Sequence, residues 1–406
     1  MKLTILALAA TAPLAFSQGP LLPPGAPAPT QKSLQEIWNK IGVLEAQNSS
    51  LQVQLSAVSG QNAISAAGMA LPWNIKTVDS LGSVGSYTSL AFGPDAQPAI
   101  SYQDETNGDL KFARFNGSGW VTSTVDAAGS TGQYTSLAFG PDGQPAISYR
   151  DNTNFDLKFA RFNGSTWSTV TVDTLGPTGY YTSLAFGPDG QPAISYLVND
   201  NSYSGGDLKF ARFNGSTWST VTVDDARGHT SLAFGPDGQP AISYLDNIID
   251  LKFARFNGNA WSTATVDGGD LPGYFTSLAF GPDGQPAISY LESDYGYLKF
   301  ARFDGSGWST AEVDTAVYNG GDTSLAFGPD GQPAISYRGD VGGTFALKLT
   351  RFNGSTWSTA TLDAVGQTGY YTSLAFGPDG QPAISYQDAT NGDLKFARKG
   401  LFPPAP

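Results

Sequence analysis

Residues able to do chemistry are few in this chain, and they fall into two periodic sets. The first is aromatic. Tyr87, Tyr134, Tyr181, His229, Phe275, Asp322 and Tyr371 each stand immediately before a Thr-Ser-Leu triplet, and five of these seven are Tyr or Phe. Gathered around one opening, such side chains stack on sugar faces or clasp an apolar group. His229 is the only histidine and occupies one of these slots, so it reads as a substituted tyrosine rather than a catalytic base. The second set is acidic. Asp104, Asp151, Asp246, Glu292 and Asp388 follow a repeated Ile-Ser-Tyr run, and Asp109, Asp156, Asp207, Asp250 and Asp393 precede a repeated Leu-Lys-Phe. The paired carboxylates Asp104 and Asp109, Asp151 and Asp156, and Asp388 and Asp393 offer hard oxygens of the kind calcium takes. Their spacing is not that of a calcium hand loop, and Asp is an ordinary hairpin residue. No cofactor is required by the sequence, and calcium is the one ion it leaves room for.

Residues that break the periodicity are the other candidates: Arg150, Arg227, Glu292, Glu312, Asp322 and Arg338. Arg150 and Arg338 hold equivalent positions in separate units and join the aromatic set as candidate ligand-binding residues. A glycosidase needs two carboxylates at a fixed separation in one asymmetric pocket, and nothing in the pattern supplies them, so the expectation is a binding protein rather than an enzyme. The absence of cysteine removes thiolate metal sites and cysteine nucleophiles, and a single histidine removes a His-clustered metal site within one chain.

These candidates must be positioned by the run Thr135–Tyr149, TSLAFGPDGQPAISY, which recurs from Thr88, Thr182, Thr230, Thr276, Thr323 and Thr372 at spacings of 46 to 49 residues. Such a period, with several short strands per unit, marks a radial repeat. Each unit reads as TSLAFG, a Pro-Asp-Gly turn, QPAISY, a variable loop, LKFARF, an Asn-Gly turn and WSTVTVD. The Asp-Gly and Asn-Gly turns supply the positive φ of tight hairpins. Alternation sends Thr135, Leu137 and Phe139 to one face and Ser136, Ala138 and Gly140 to the other. A bulky face stacked on a flat one, seven times over, closes a ring: an all-β, seven-bladed β-propeller of four-stranded antiparallel blades over residues 73–398. Trp73–Asp79, WNIKTVD, matches the fourth strand, which the last unit lacks, so it completes the last blade and removes an open edge. Lys111 and Arg114, recurring in every unit with the Val-Asp aspartate, read as ion pairs bracing the blades. The two variable loops of each unit share one face and the two constant turns the other, which makes the variable face the expected binding surface.

Over Trp73–Arg398 the pattern LK(F/Y)AR…NG…W…VD…SLA…G.P.ISY.D resembles a family of bacterial secreted seven-bladed propellers of unassigned function. It is more loosely similar to sialidase and lectin propellers. Asn163-Gly164-Ser165-Thr166-Trp167 does not meet the sialidase Asp-box, since its polar residue stands one step too close to the Trp. The resemblance implies a scaffold, and function has to be argued from the site.

Before the ring, residues 1–17 have the positive, apolar and small-x-small regions of a secretory signal. Residues 18–32 form a Pro-rich spacer. In residues 33–60, Leu34, Ile37, Ile41, Leu44, Asn48, Leu51, Leu55 and Val58 follow the heptad pattern of a coiled-coil helix. A Pro-rich tail, 399–406, follows the ring. The expected product is secreted, periplasmic or on the cell surface. It has no membrane span once the signal is removed and is a homo-oligomer, dimer or trimer, through residues 34–58. With 35 acidic against 22 basic residues, nucleic acid is excluded as a partner. The function read from these features is multivalent recognition of an extracellular glycan, or of a protein, through the variable face. A secreted hydrolase or lyase and a structural envelope protein are the alternatives.

Overall fold

A computed structural model describes residues 71–199, 205–269, 271–294, 296–315 and 321–400. The signal, spacer and heptad segments and residues 401–406 lie outside them. Within them are 28 strands, β1–β28 in chain order, forming seven four-stranded antiparallel sheets. The first blade is β2 (Val84–Phe92), β3 (Pro98–Asp104), β4 (Asp109–Phe115) and β5 (Trp120–Asp126). The seventh is β26 (Tyr370–Phe376), β27 (Pro382–Asp388), β28 (Asp393–Lys399) and, as its outer strand, β1 (Trp73–Asp79). β1 pairs with β28 from Trp73 opposite Lys399 to Asp79 opposite Leu394, so the ring is closed by a strand from its own beginning. Among the described residues no helix is long and apolar enough to cross a membrane.

The blades pack as the alternation requires. Leu137, Ile147 and Tyr149 of the second blade meet Ala99, Leu110 and Phe112 of the first, and an equivalent cluster lies at every blade junction. Burying each of those large side chains contributes roughly 1.5–3 kcal/mol. The repeated Val-Asp aspartate crosses the same junctions. Asp126, ending the outer strand of the first blade, accepts the Tyr149 hydroxyl and the Lys158 ammonium of the second. All seven junctions carry this Asp-Tyr-Lys clamp, with Lys Nζ 2.5 to 3.8 Å from the carboxylate. The repeated Arg acts differently from the Lys. Arg161 pairs with Asp142 in the Pro-Asp-Gly turn of its own blade and lays its guanidinium over Phe186 of the next.

The constant turn is also a blade contact. A Cβ on Gly190, at φ +75°, would stand 2.9 Å from Cγ of Pro141 in the preceding blade, and five other blades repeat the contact. The first blade is the exception, with Ala96 at φ +65°. Gly190→Ala is therefore expected to cost about 1–2 kcal/mol for the left-handed backbone alone, read from a urea melt. A cost under about 0.5 kcal/mol would mean that the junction opens freely to take a methyl group.

Candidate functional site

At the start of each inner strand the backbone does something the strand pattern does not announce. Tyr87, Tyr134, Tyr181, His229, Phe275, Asp322 and Tyr371 all adopt left-handed φ, between 46° and 55°. Each such residue costs about 1–2 kcal/mol relative to ordinary strand geometry. A register shift accompanies it, as between Gln133 and Ser136 in the second blade.

The strain is held by a wheel of side-chain hydrogen bonds between blades. Thr135 Oγ1 donates to the Tyr87 carbonyl at 3.0 Å and shares a hydrogen bond with Ser101 Oγ at 2.5 Å. The Leu137 amide donates to Ser89 Oγ at 3.0 Å. The Thr–Ser and Leu–Ser bonds recur at all seven junctions. This accounts for the constancy of Thr-Ser-Leu, which holds the ring together and presents the residue before it.

What is presented is an annulus around a cavity of about 200 Å³, lined by the seven residues and the Thr that follows each. Ring centroids stand 4.6 Å apart between Tyr371 and Tyr87, and 4.7 Å between Tyr87 and Tyr134 and between Tyr134 and Tyr181. The series continues at 4.3 Å to His229 and 4.4 Å to Phe275. All six are half-buried. The six aromatic and histidine positions named from the sequence thus converge on one cavity. Burial pushes the Tyr371 hydroxyl up to about 12 and the His229 imidazole down to about 3, so both are neutral near pH 7. His229 Nδ1 is buried without a hydrogen-bond partner.

The annulus is broken once, at Asp322, between Phe275 and Tyr371. Burial pushes the Asp322 carboxyl above its ordinary value, against the pull of Arg338 and of the Tyr371 amide that donates to it. Arg338 Nε lies 4.0 Å from Asp322 Oδ2 and is buried without a hydrogen-bond partner. The guanidinium stacks 4.0 Å from the Tyr370 ring and 4.8 Å from that of Phe345. Gly321 makes this approach possible, since a Cβ there would stand 2.5 Å from Arg338 Nη2 and 3.2 Å from the Phe275 ring.

Arg150, the counterpart of Arg338, is spent on structure. Its Nε donates to the Thr178 carbonyl, Nη2 to the Tyr180 hydroxyl and Nη1 to Gln133 and Asn152, and its plane lies 3.9 Å from the Tyr180 ring. It is 2% exposed. The sequence paired neither arginine with its tyrosine. The signal was there: each Arg precedes a unit whose slot carries a doublet, Tyr180-Tyr181 or Tyr370-Tyr371. Asp322, which the sequence places both before a Thr-Ser-Leu triplet and among the departures from the repeat, is the charged group of the annulus.

The acidic loop residues are turn-formers with lysine counter-ions. Both Asp104 oxygens accept from Asn107, and Lys111 Nζ is 4.0 Å away. Asp151 with Asn154 and Asp388 with Asn391 repeat the arrangement. Burial works against ionised Asp388, but Lys395 and Asn391 still hold it below its ordinary value. Asp109, Asp156 and Asp393, directly opposite in the ladder, are pushed up by burial and by the facing carboxylate. Among the described residues no group of three or more His, Cys, Asp or Glu is placed to hold a metal ion.

The constant-turn side carries a second kind of cavity that the sequence did not disclose. Between the second and third blades, Phe159, Arg161, Phe186, Pro192, Phe213 and Trp218 line a cleft of about 280 Å³. Equivalent clefts between the first and second, third and fourth, and fourth and fifth blades measure about 410, 340 and 350 Å³.

The chain matches no family model and no curated protein. Solved structures share the fold. AofleA from Arthrobotrys oligospora is similar at 15% identity and TM-score 0.50, over 73% of this chain and 91% of that one. The fucose-specific lectin of Aleuria aurantia is similar at 16% identity and TM-score 0.50, over 70% and 96%. A protein of unknown function from Dyadobacter fermentans gives 12% and 0.50, over 82% and 99%.

Proposed function

We propose that this chain is a lectin-like carbohydrate-binding protein whose site is the mouth of the axial cavity, on the variable-loop face. The observation that carries the reading is the pair Asp322 and Arg338 at the one break in the aromatic annulus. A sugar ring presents apolar C–H faces and adjacent hydroxyl groups. Tyr371 and Phe275 flank the break and offer ring faces to the former. The Asp322 carboxylate accepts from a sugar hydroxyl, and the Arg338 guanidinium, which stands behind it and does not line the cavity, favours its charged form. A cavity of about 200 Å³ suits one saccharide ring rather than a long oligosaccharide. The fucose specificity of the Aleuria aurantia protein, on a similar scaffold, agrees with the ligand class.

Turnover is not part of this reading. Among the described residues Asp322 is the single carboxylate lining the cavity, and His229 is held neutral with its Nδ1 unpartnered. Each ring then offers one axial site, and valence comes from assembling chains. The heptads of residues 34–58 and export through residues 1–17 belong to the proposal on that ground, since linked weak sites gain avidity.

A glycan array followed by titration of the full chain tests it. Asp322→Asn and Arg338→Gln should each weaken binding to the best glycan tenfold or more, and Tyr371→Ala should do the same, with far-ultraviolet circular dichroism unchanged. Binding should also fall as pH drops through the raised Asp322 titration. Wild-type affinity in all three variants would sink the proposal.

A further inference from the structure

Apolar side chains scattered singly over a protein surface are ordinary and carry no message. Here they are not scattered. Among the described residues the four most exposed large apolar side chains are Leu81, Val365, Ile248 and Leu175, at 70% to 78%. Leu81 follows β1, Leu175 follows β9 (Trp167–Asp173) and Val365 follows β25 (Trp357–Asp363), while Ile248 joins β15 (Pro240–Leu245) to β16 (Leu251–Phe256). Both kinds of connection leave the ring on the face of the axial mouth. Phe155 and Val341, less exposed, stand on that face too, and no exposed large apolar side chain stands in a described constant turn. The four belong to the seventh, second, sixth and fourth blades, so they surround the mouth rather than flank one side of it.

All four are presented by the same device. The amides of Leu81, Leu175, Ile248 and Val365 donate to Oδ1 of Asp79, Asp173, Asp246 and Asp363, two residues earlier, at 3.0 to 3.2 Å. The second oxygen of each carboxylate faces a Lys Nζ at 2.5 to 3.4 Å. Each loop tip is thus fixed to the frame of its blade before it touches anything, and docking costs it little ordering. Small and polar residues stand beside the tips, as Ser80 and Gly82 do at Leu81 and Thr174 and Gly176 at Leu175. The result is separate apolar points on separate loops. A protein partner is held by a contiguous, shape-matched patch, whereas a bilayer interface is fluid and closes around points set apart. Charge narrows the choice of lipid. Glu105, Asp225 and Asp294 are exposed on this face against Arg227, so an anionic surface is repelled and neutral headgroups are not.

We propose that the variable-loop face docks on the surface of a lipid bilayer with neutral headgroups, Leu81, Leu175, Ile248 and Val365 entering the interface as separate anchors. The contact is peripheral, and nothing crosses the bilayer. The axial mouth then faces the membrane. The docking rests on the loop tips and stands without the carbohydrate reading.

Co-flotation of the full chain with vesicles of phosphatidylcholine alone, which carry neither sugar nor net charge, tests it. The chain should float with them, and adding phosphatidylserine should lower the bound fraction. Leu81→Ser, Leu175→Ser, Ile248→Ser and Val365→Ser combined should reduce partition tenfold or more at an unchanged melting temperature, and Val170→Ser, on the outer strand β9, should not. The chain has no cysteine, so Leu175→Cys takes a single environment-sensitive dye. Its emission should shift to the blue on the vesicles, and that of a dye at Val170→Cys should not, which keeps the test available if the fourfold variant folds poorly. A wild-type chain that stays off the vesicles, floats only with phosphatidylserine, or floats no better than the fourfold variant would overturn the proposal. So would a lower oligomeric state in that variant with no flotation of the wild type, which would assign the tips to a second copy of the chain. Glycan binding that survives those outcomes would leave the carbohydrate reading in place.

Discussion

Asp126→Ala is expected to destabilise the folded ring by about 3–5 kcal/mol, the range for removing one partner of a buried charge pair. Asp126 and Lys158 side chains are 6% and 12% exposed, and Tyr149 is fully buried. Truncation therefore takes from the Tyr149 hydroxyl its carboxylate acceptor and leaves the ammonium with Asp151 alone, at 4.0 Å. Asp126→Asn keeps an acceptor and removes the charge, so it should cost less. Asp126→Ala and Lys158→Met together should cost less than the sum of the two alone, because both remove the same pair, while Lys158→Met by itself also takes from Asp151 the ammonium 4.0 Å away.

The same site gives an acid signature. Burial opposes ionisation of Asp126, but Lys158 and the Tyr149 hydroxyl outweigh it and leave its folded pKa below 3.8. A depressed folded pKa means that the unfolded chain binds the proton more readily. The clamp's contribution is then complete above the unfolded value and is lost as pH falls through the folded one. Asp156, raised in the folded state, contributes with the opposite sign, so the difference between wild type and Asp126→Ala isolates the clamp. That difference, from denaturant melts, should be steady near neutral pH and shrink below about pH 4. A cost under about 1 kcal/mol at pH 7 would place the clamp among solvated surface pairs.

Removing the closing strand should have the second large effect. A chain beginning at residue 80 lacks β1, leaves the edge of β28 unpaired and deprives Tyr102 and Lys111 of Asp79. The expected result, against a chain beginning at residue 71, is loss of the single cooperative calorimetric transition and concentration-dependent association through the open edge. Added peptide of sequence 71–79 should restore part of the transition by completing the seventh blade. Matching melting curves for the two chains, without peptide, would show that closure contributes nothing.

The blade count, the four strands and the closing role of Trp73–Asp79 were legible because they rest on local signals. Alternation fixes faces, Asp-Gly and Asn-Gly fix hairpins, and the stray match WNIKTVD fixes the seam. The convergence of Tyr87, Tyr134, Tyr181, His229, Phe275 and Tyr371 followed from the ring alone. Their left-handed backbone did not, since nothing about Tyr or Phe in a strand pattern asks for positive φ. The Asp322–Arg338 pair was hidden because its members are 16 residues apart in sequence and meet across a hairpin whose register the bulge shifts. The interblade clefts were hidden for the opposite reason. Their walls are the most constant residues of the repeat, and constancy within a repeat reads as packing before it reads as a surface.

The wheel of Thr and Ser hydrogen bonds has a consequence for how such a mouth can change. The strained residue is held through the Thr beside it in every blade and, at Tyr87, Tyr134, Tyr181, Phe275 and Tyr371, through its carbonyl as well, and its own side chain takes no part in the wheel. Tyr, His, Phe and Asp already occupy the same backbone seat. The annulus thus behaves as seven interchangeable tesserae in a fixed frame, which can be swapped one at a time to compose a different rim.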